Sequence, residues 1–390
     1  MMKEEVQGFQ IEAALDYVKG YLQRSGFRPF SFRLWTDEFA GPTLFAVLLK
    51  YSAFWKEMAL VDPSRALLSR LSQFDGNLQR LRKIAFVRYT RGFYLVPWDV
   101  LNEVAPNLTD LTLVQVSIGI ESRQHIPWAQ LTRYCEIDCS WSYAPVGHQG
   151  RLSSYRKLTN LCVLCLRLKN SDFRETDTPV ELPNVRAAAL HFFDSRITKI
   201  TQSFDMPMLE EFSIEYSHVW VDASNGLDIL MPLSSPRLKF FRARLHSNLP
   251  FNGQHNPDCT LEMFPDLREI SIDVPHTISD TIVSRLIPYN DQLPLCPKLE
   301  IIRLSNKSFA TDLCKWQTLA DMLQARFRVP VVQGISRLCT FEFSTDEVAH
   351  DVNVTTGLKA LRKRNQWDIR VGDECRFPAW DELHLDTSDF

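Results

Sequence analysis

Apolar residues recur along most of this chain in one short frame, φ-x-x-φ-x-φ, where φ is apolar. In the clearest copies a proline stands two residues ahead of the first φ. Pro265 precedes Leu267, Ile270 and Ile272, and Pro297 precedes Leu299, Ile302 and Leu304. The frame also fits Pro106 with Leu108, Leu111 and Leu113, Pro183 with Val185, Ala188 and Leu190, and Pro207 with Leu209, Phe212 and Ile214. Pro236 with Leu238, Phe241 and Ala243, and Pro378 with Trp380, Leu383 and Leu385, complete the set. Without proline it returns at Trp55/Met58/Leu60, Leu81/Ile84/Phe86, Leu161/Leu164/Leu166 and Leu338/Phe341/Phe343, with a blurred copy at Leu131/Tyr134/Ile137. The last two φ positions are two apart, so they share one side of a strand, while the first drops inward from the preceding bend.

Such spacing is the leucine-rich-repeat signature, whose units usually run about 20–29 residues. The anchors here step from Leu81 to Leu108, Leu161 to Val185, Val185 to Leu209, Leu209 to Leu238 and Leu238 to Leu267, then stretch to Leu299, Leu338 and Trp380. Steps of three and four between apolar residues predict helices in the intervals: Trp316, Ala320, Leu323 and Phe327 form one stripe. Thr281–Ile287, Asp228–Met231 and Ser64–Phe74 behave similarly, and Ile11, Leu15, Val18 and Leu22 mark an N-terminal helix. The expected fold is an α/β leucine-rich-repeat solenoid: a curved parallel sheet on the concave side, helices and coil on the convex side. Residues 1–50 would form a helical cap and 51–390 the irregular solenoid. The asparagine that usually follows the strand is absent or displaced, which predicts turns not bracketed by side-chain ladders.

Composition narrows the partners. With 45% hydrophobic and 23% charged residues and a net charge of -3, the chain reads as an ordinary folded protein, without the cationic excess that nucleic acid requires. No run of about 18 apolar residues predicts a membrane span, and the N-terminus lacks a signal-peptide core, so a cytoplasmic and/or nuclear location is expected. The 9 Cys lie mostly in apolar runs and suit reduced, buried thiols. Cys135, Cys139, Cys162 and Cys165 could on paper hold zinc. However, Cys162 and Cys165 are an odd number apart in a strand, so their sulfurs would face opposite ways. Only 14 Gly are present, and no phosphate loop, nucleophile elbow or His-Glu-x-x-His motif appears, so no catalytic residue, metal or cofactor is expected. The basic runs Arg80–Lys83 and Lys359–Arg364 read as solvated edges.

If the φ residues point inward and the first is position 1, positions 3, 5 and 7 point outward. In the C-terminal half, position 7 reads Glu215, Arg244, Asp273 and position 5 reads Ser213, Arg242, Ser271, Arg303, Glu342. The signs alternate, which suits cross-strand ion pairs of about 0.2–1 kcal/mol each. It equally suits a charged surface for a protein partner, and both can hold together. The N-terminal half is small and apolar there, with Ala59, Ala85, Val87, Thr112, Val114, Val163, Cys165, Ala187 and Ala189. A cover is expected, with the segment around Trp141–Tyr155 as the candidate.

Four short segments, in order, resemble landmarks of the fungal F-box/leucine-rich-repeat proteins. Leu22–Phe32 is similar to their L-x-R-S-G-x-x-P-L-x-L, and Ile126–Thr132 to their L-P-W-x-Q-L-T. Leu295–Glu300 is similar to L-C-P-x-L-E, and Ala320–Phe327 to the following helix that ends in S-R-W. The resemblance implies a non-enzymatic module that selects protein substrates for a cullin-type ubiquitin ligase, using residues such as Glu215, Arg242, Arg244, Asp273, Arg303 and Glu342. Family members usually begin with an F-box that docks the ligase's linker subunit, and nothing before Leu22 resembles one. Residues 1–50 would then include a remnant linker to a missing F-box. The linker subunit is a partner only if an F-box lies upstream. The alternative is a free-standing interaction scaffold with no ligase role.

Overall fold

The computed structural model describes residues 2–26, 28–35, 41–74, 76, 78–89, 96, 101, 103–118, 122–141, 147–168, 178–192, 203–216, 235–245, 261, 263–273, 280–288, 294–306, 316–328, 334–345, 352–372 and 375. Contacts between Cα atoms divide the chain into two compact units, Met1–Leu166 and Arg167–Leu385. Both are α/β and built on parallel strands. Among the described residues no helix is long and apolar enough to cross a membrane.

The N-terminal unit runs α1 (Met2–Arg24), β1 (Phe30–Trp35), α2 (Gly41–Leu49), β2 (Trp55–Val61), α3 (Arg65–Ser72), β3 (Lys83–Val87), β4 (Asp110–Val114), β5 (Arg133–Ile137), α4 (Gly147–Tyr155) and β6 (Val163–Leu168). Helix α1 stops where Gly26 takes a left-handed φ of 60° and the Ser25 hydroxyl donates to the Leu22 carbonyl at 2.7 Å. Ser64 caps α3 by accepting from the Leu67 N–H. Strands β1 to β5 pair in parallel in chain order, and β6 adjoins β5. Register keeps the frame aligned: Met58, Ile84, Leu111 and Tyr134 stand side by side, as do Leu60, Phe86, Leu113 and Glu136. All eight side chains are fully buried.

Most strands are entered through a tight turn that explains the prolines. The N–H of the first φ residue donates to the carbonyl three residues earlier, from Leu108 to Ala105, Leu209 to Met206 and Leu267 to Phe264, at 3.1–3.2 Å. A proline two residues ahead of φ is therefore the second residue of a four-residue turn. There its fixed φ already suits the bend and its missing N–H costs nothing. The residue that opens the turn is a further inward position: Leu78, Ala105, Leu158, Leu182, Met206 and Phe264 are each no more than 2% exposed.

Two strands fall where the frame is masked. Residues 30–35, expected within a helical cap, form β1, with Phe32 opposite Met58 and Leu34 opposite Leu60. Pro29 occupies the first φ place, so the repeat is present but unreadable. At the other end β13 (Asp368–Val371) lies between Leu338 and Trp380, where no unit was expected. Gln366, at a left-handed φ of 57°, takes the first φ place there, and Ile369 and Val371 take the other two. The copy at Trp380/Leu383/Leu385 and the helix at Asp228–Met231 lie outside the described residues. The strand exits also differ from expectation. Asp62 is left-handed, with a φ of 47°, and its carboxylate accepts from the Tyr89 N–H at 2.8 Å, so a side chain does bracket that turn.

The C-terminal unit continues with β7 (Ala187–Phe192), β8 (Glu211–Tyr216), β9 (Phe240–Leu245), β10 (Glu269–Asp273), α5 (Asp280–Arg285), β11 (Ile301–Asn306), α6 (Trp316–Arg328), β12 (Thr340–Thr345), α7 (Val352–Asn365) and β13. Its strands also pair in parallel and in sequence. Helix α6 presents the expected stripe: Ala320, Leu323 and Phe327 are at most 5% exposed, and Phe327 stacks on Trp367 at 4.8 Å. Helix α7 meets α6 at Gly357, where an added Cβ would run into the Trp316 indole. Gly357→Ala is therefore expected to lower the thermal midpoint, by about 1–3 kcal/mol of overpacking, although alanine gains about 1 kcal/mol in helix propensity. A midpoint raised by this substitution would contradict the packing.

Candidate functional site

The outward positions of β7 to β13 form a charged ladder. Position 7 reads His191, Glu215, Arg244, Asp273 and Ser305 on successive strands, each in register with the next. Position 5 reads Ser213, Arg242, Ser271, Arg303, Glu342 and Arg370. Parallel strands about 4.8 Å apart bring these side chains within salt-bridge reach. Arg244 Nε donates to Asp273 Oδ2 at 3.1 Å, and His191 Nδ1 lies 3.5 Å from Glu215 Oε2.

The six residues predicted for the site, Glu215, Arg242, Arg244, Asp273, Arg303 and Glu342, thus share one face, and two residues missing from that set link three of them, Arg242, Arg303 and Glu342. Glu269, at position 3 of β10, accepts from Arg242 Nε at 3.0 Å and is also paired with Arg303. Arg303 Nε stands 3.4 Å from Glu342 Oε2, and Glu342 Oε1 accepts from Arg370 Nη1 at 2.9 Å. Arg370 in turn donates to Asp368 Oδ2 at 3.0 Å. The result is a continuous chain, Arg242, Glu269, Arg303, Glu342, Arg370, Asp368, crossing five strands from β9 to β13. Glu269 was legible as an outward position 3. Arg370 was not, because its strand has glutamine at the first φ place.

Burial is uneven along this chain. The Glu269 and Glu342 side chains are 6% and 0% exposed, whereas those of Arg242, Arg303 and Arg370 keep 21%, 15% and 37%. Carboxylates form the floor and guanidiniums the rim. Each partly exposed pair contributes little alone, but a linked array fixes the rotamers of long side chains that would otherwise be mobile. Such a face offers preorganised N–H donors to a polar partner.

The apolar stripe of the N-terminal unit is largely buried. At position 5, Ala59, Ala85, Thr112, Cys135 and Cys165 are at most 3% exposed, while Val87, Val114 and Val163 at positions 7 and 3 are half-buried. At the end of this face Trp35 and Tyr89 stack at 5.9 Å, 63% and 56% exposed, with Arg33 over the Trp35 ring. The segment Trp141–Tyr155 was the candidate cover. Residues 142–146 of it lie outside the described residues, and its helix α4 turns Arg151 and Tyr155 toward the φ side of β5.

The reason is Glu136. The blurred copy of the frame expected Ile137 to point inward, but the chain stays in register and places Glu136 there, fully buried opposite Leu113. Its Oε2 accepts from the hydroxyls of Tyr134 at 2.8 Å and Tyr155 at 2.7 Å, and its Oε1 lies 3.0 Å from Arg151 Nη2. Arg151 Nη2 also donates to the Cys139 carbonyl at 3.1 Å. Burial, then the adjacent Glu136 charge, pushes both phenols well above the ordinary tyrosine range, so they act as donors. This cluster fastens α4 to the sheet.

The segments that carry the family resemblance have structural work of their own. Arg326 of α6 is fully buried, and its Nη2 donates to the Cys296 carbonyl at 2.8 Å and the Leu299 carbonyl at 3.3 Å. The Leu295–Glu300 and Ala320–Phe327 segments therefore form one contact. Burial lowers the Arg326 pKa to about 10 and raises the Cys296 thiol to about 12. In Ile126–Thr132, Trp128 is 2% exposed and packs edge-on to Tyr134 at 5.4 Å. No family model matches the chain, and neither does any curated protein sequence.

Proposed function

We propose that the chain is a leucine-rich-repeat solenoid acting as a non-enzymatic protein-recognition module. It resembles the substrate-binding part of an F-box adaptor of a cullin-type ubiquitin ligase. The observation that carries the reading is the outward ladder of the C-terminal unit, where buried carboxylates hold partly exposed guanidiniums in fixed positions. A protein partner is recognised by complementary carboxylates and carbonyls laid across several strands, with Arg242, Arg244 and Arg303 as the principal donors, Glu269, Asp273 and Glu342 orienting them, and Glu215 in register beside Arg244. Binding needs no cofactor or covalent step.

Affinity purification followed by identification of the bound proteins tests it. Arg242→Glu with Arg244→Glu is expected to remove captured partners, with losses of about 2 kcal/mol or more, while leaving the circular dichroism spectrum unchanged. Normal capture by this variant would show that the face is not the site. Recovery of the ligase's linker subunit supports the ligase reading, and stable partners without it support a free-standing scaffold.

A further inference from the structure

We infer that Arg242 and Arg244 form a twin fork for an extended segment of a protein in which two Glu or Asp residues stand two positions apart. This step rests on the proposed protein-binding role of the face and adds the chemistry of the partner. The two arginines occupy positions 5 and 7 of β9, so they project from the same side of one strand, about 6.6 Å apart along it. Each is anchored at Nε alone. Arg242 Nε donates to Glu269 Oε1 at 3.0 Å, and Arg244 Nε to Asp273 Oδ2 at 3.1 Å. Among the described residues, Nη1 and Nη2 of both arginines donate no hydrogen bond. The other two arginines of the ladder are spent differently: Arg303 Nη1 is given to Glu269, and Arg370 gives Nε and Nη2 to Asp368 and Nη1 to Glu342.

A guanidinium held through Nε keeps its Nη1/Nη2 edge as a planar pair of donors, which matches the two oxygens of a carboxylate. The Arg242 and Arg244 side chains are 21% and 26% exposed, above Glu269 and Asp273 at 6% each, so an incoming group meets the donors first. Those carboxylates, and Glu215 in register beside Arg244, leave the face near neutral. Selectivity therefore comes from where the donors lie and not from long-range attraction. An extended peptide turns alternate side chains to one side and advances about 3.3 Å per residue, so its residues i and i+2 repeat the spacing of Arg242 and Arg244. Residues one or three apart point to opposite sides and cannot serve both forks. A helical segment does not fit either, because its i and i+2 residues lie on different faces. Nucleic acid calls for a cationic excess that this near-neutral ladder, in a chain of net charge -3, does not supply.

Fluorescence anisotropy with the full chain tests it on three labelled peptides of equal charge: Ala-Glu-Ala-Glu-Ala-Ala, Ala-Glu-Glu-Ala-Ala-Ala and Ala-Glu-Ala-Ala-Glu-Ala. The first, with its carboxylates two apart, should bind about tenfold more tightly than the others. Arg242→Gln or Arg244→Gln should weaken it by a similar factor and bring the three peptides level. Arg242→Lys with Arg244→Lys keeps both charges and should lose the same preference, because an ammonium does not present the paired edge. Equal binding of the three peptides by the parent chain, or an unchanged preference in the lysine variant, would overturn the inference. So would an oligouridylate that binds more tightly than any of the peptides. If the peptides fail but Arg242→Glu with Arg244→Glu still abolishes partner capture, the protein-binding role stands without the twin fork. Capture that survives that charge reversal removes both.

Discussion

Arg151→Met should lower the unfolding free energy by about 3–5 kcal/mol, read from the shift of the urea midpoint, because it leaves the Glu136 carboxylate buried without its cation. Glu136 is fully buried and sits among the φ residues, where water cannot replace the lost partner. The two tyrosine hydroxyls that remain are neutral donors and offset only part of the charge. Glu136→Leu combined with Arg151→Met, Tyr134→Phe and Tyr155→Phe should recover most of the loss. An all-apolar cluster of similar volume satisfies the frame that every neighbouring strand already obeys. A loss under about 1 kcal/mol in the single variant would mean that α4 is not fastened through this carboxylate.

Arg326→Ala is the second large effect, expected at about 3–5 kcal/mol. Its guanidinium is enclosed by α6 and the Cys296–Leu299 turn, so truncation opens a cavity and strips donors from two carbonyls at once. Arg326→Lys should recover little, since one ammonium cannot reproduce the planar fork that spans both acceptors. A lysine variant as stable as the parent would show that volume, and not the fork, matters. The lowered Arg326 pKa gives a sign for pH. The folded chain holds this proton less tightly than the unfolded chain does, so its charge opposes folding at neutral pH. That opposition is relieved only as pH rises beyond about 10.

Most of the architecture was legible because a strand with one buried face must alternate with period two, and a repeat multiplies that signal. Leu81, Ile84 and Phe86, or Leu267, Ile270 and Ile272, needed no tertiary information to be placed inward. The two strands that escaped notice follow a first φ place with an unexpected residue, Pro29 before β1 and Gln366 before β13, and in β5 the blurred copy put Ile137 where Glu136 stands. In each case the backbone ladder fixes the register and the odd side chain adapts. Glu136 finds partners on α4, and Gln366 takes a left-handed turn that buries the neighbouring Trp367 at 8% exposure. The charged face was half legible for the same reason. Sign alternation named Arg242, Arg303 and Glu342, while the diagonal partner Glu269 and the register partner Arg370 required the pairing itself.

The sequence by itself determined the α/β class, the parallel strands, the role of the prolines and the side of each strand that faces inward. These follow from local periodicity and turn geometry, which act within a few residues. Only the tertiary structure decided which charges meet and where α4 lies. Those depend on residues about 15 to 40 positions apart, brought to within a few ångströms by the fold. A local pattern can name such side chains, but it cannot give the distances between them.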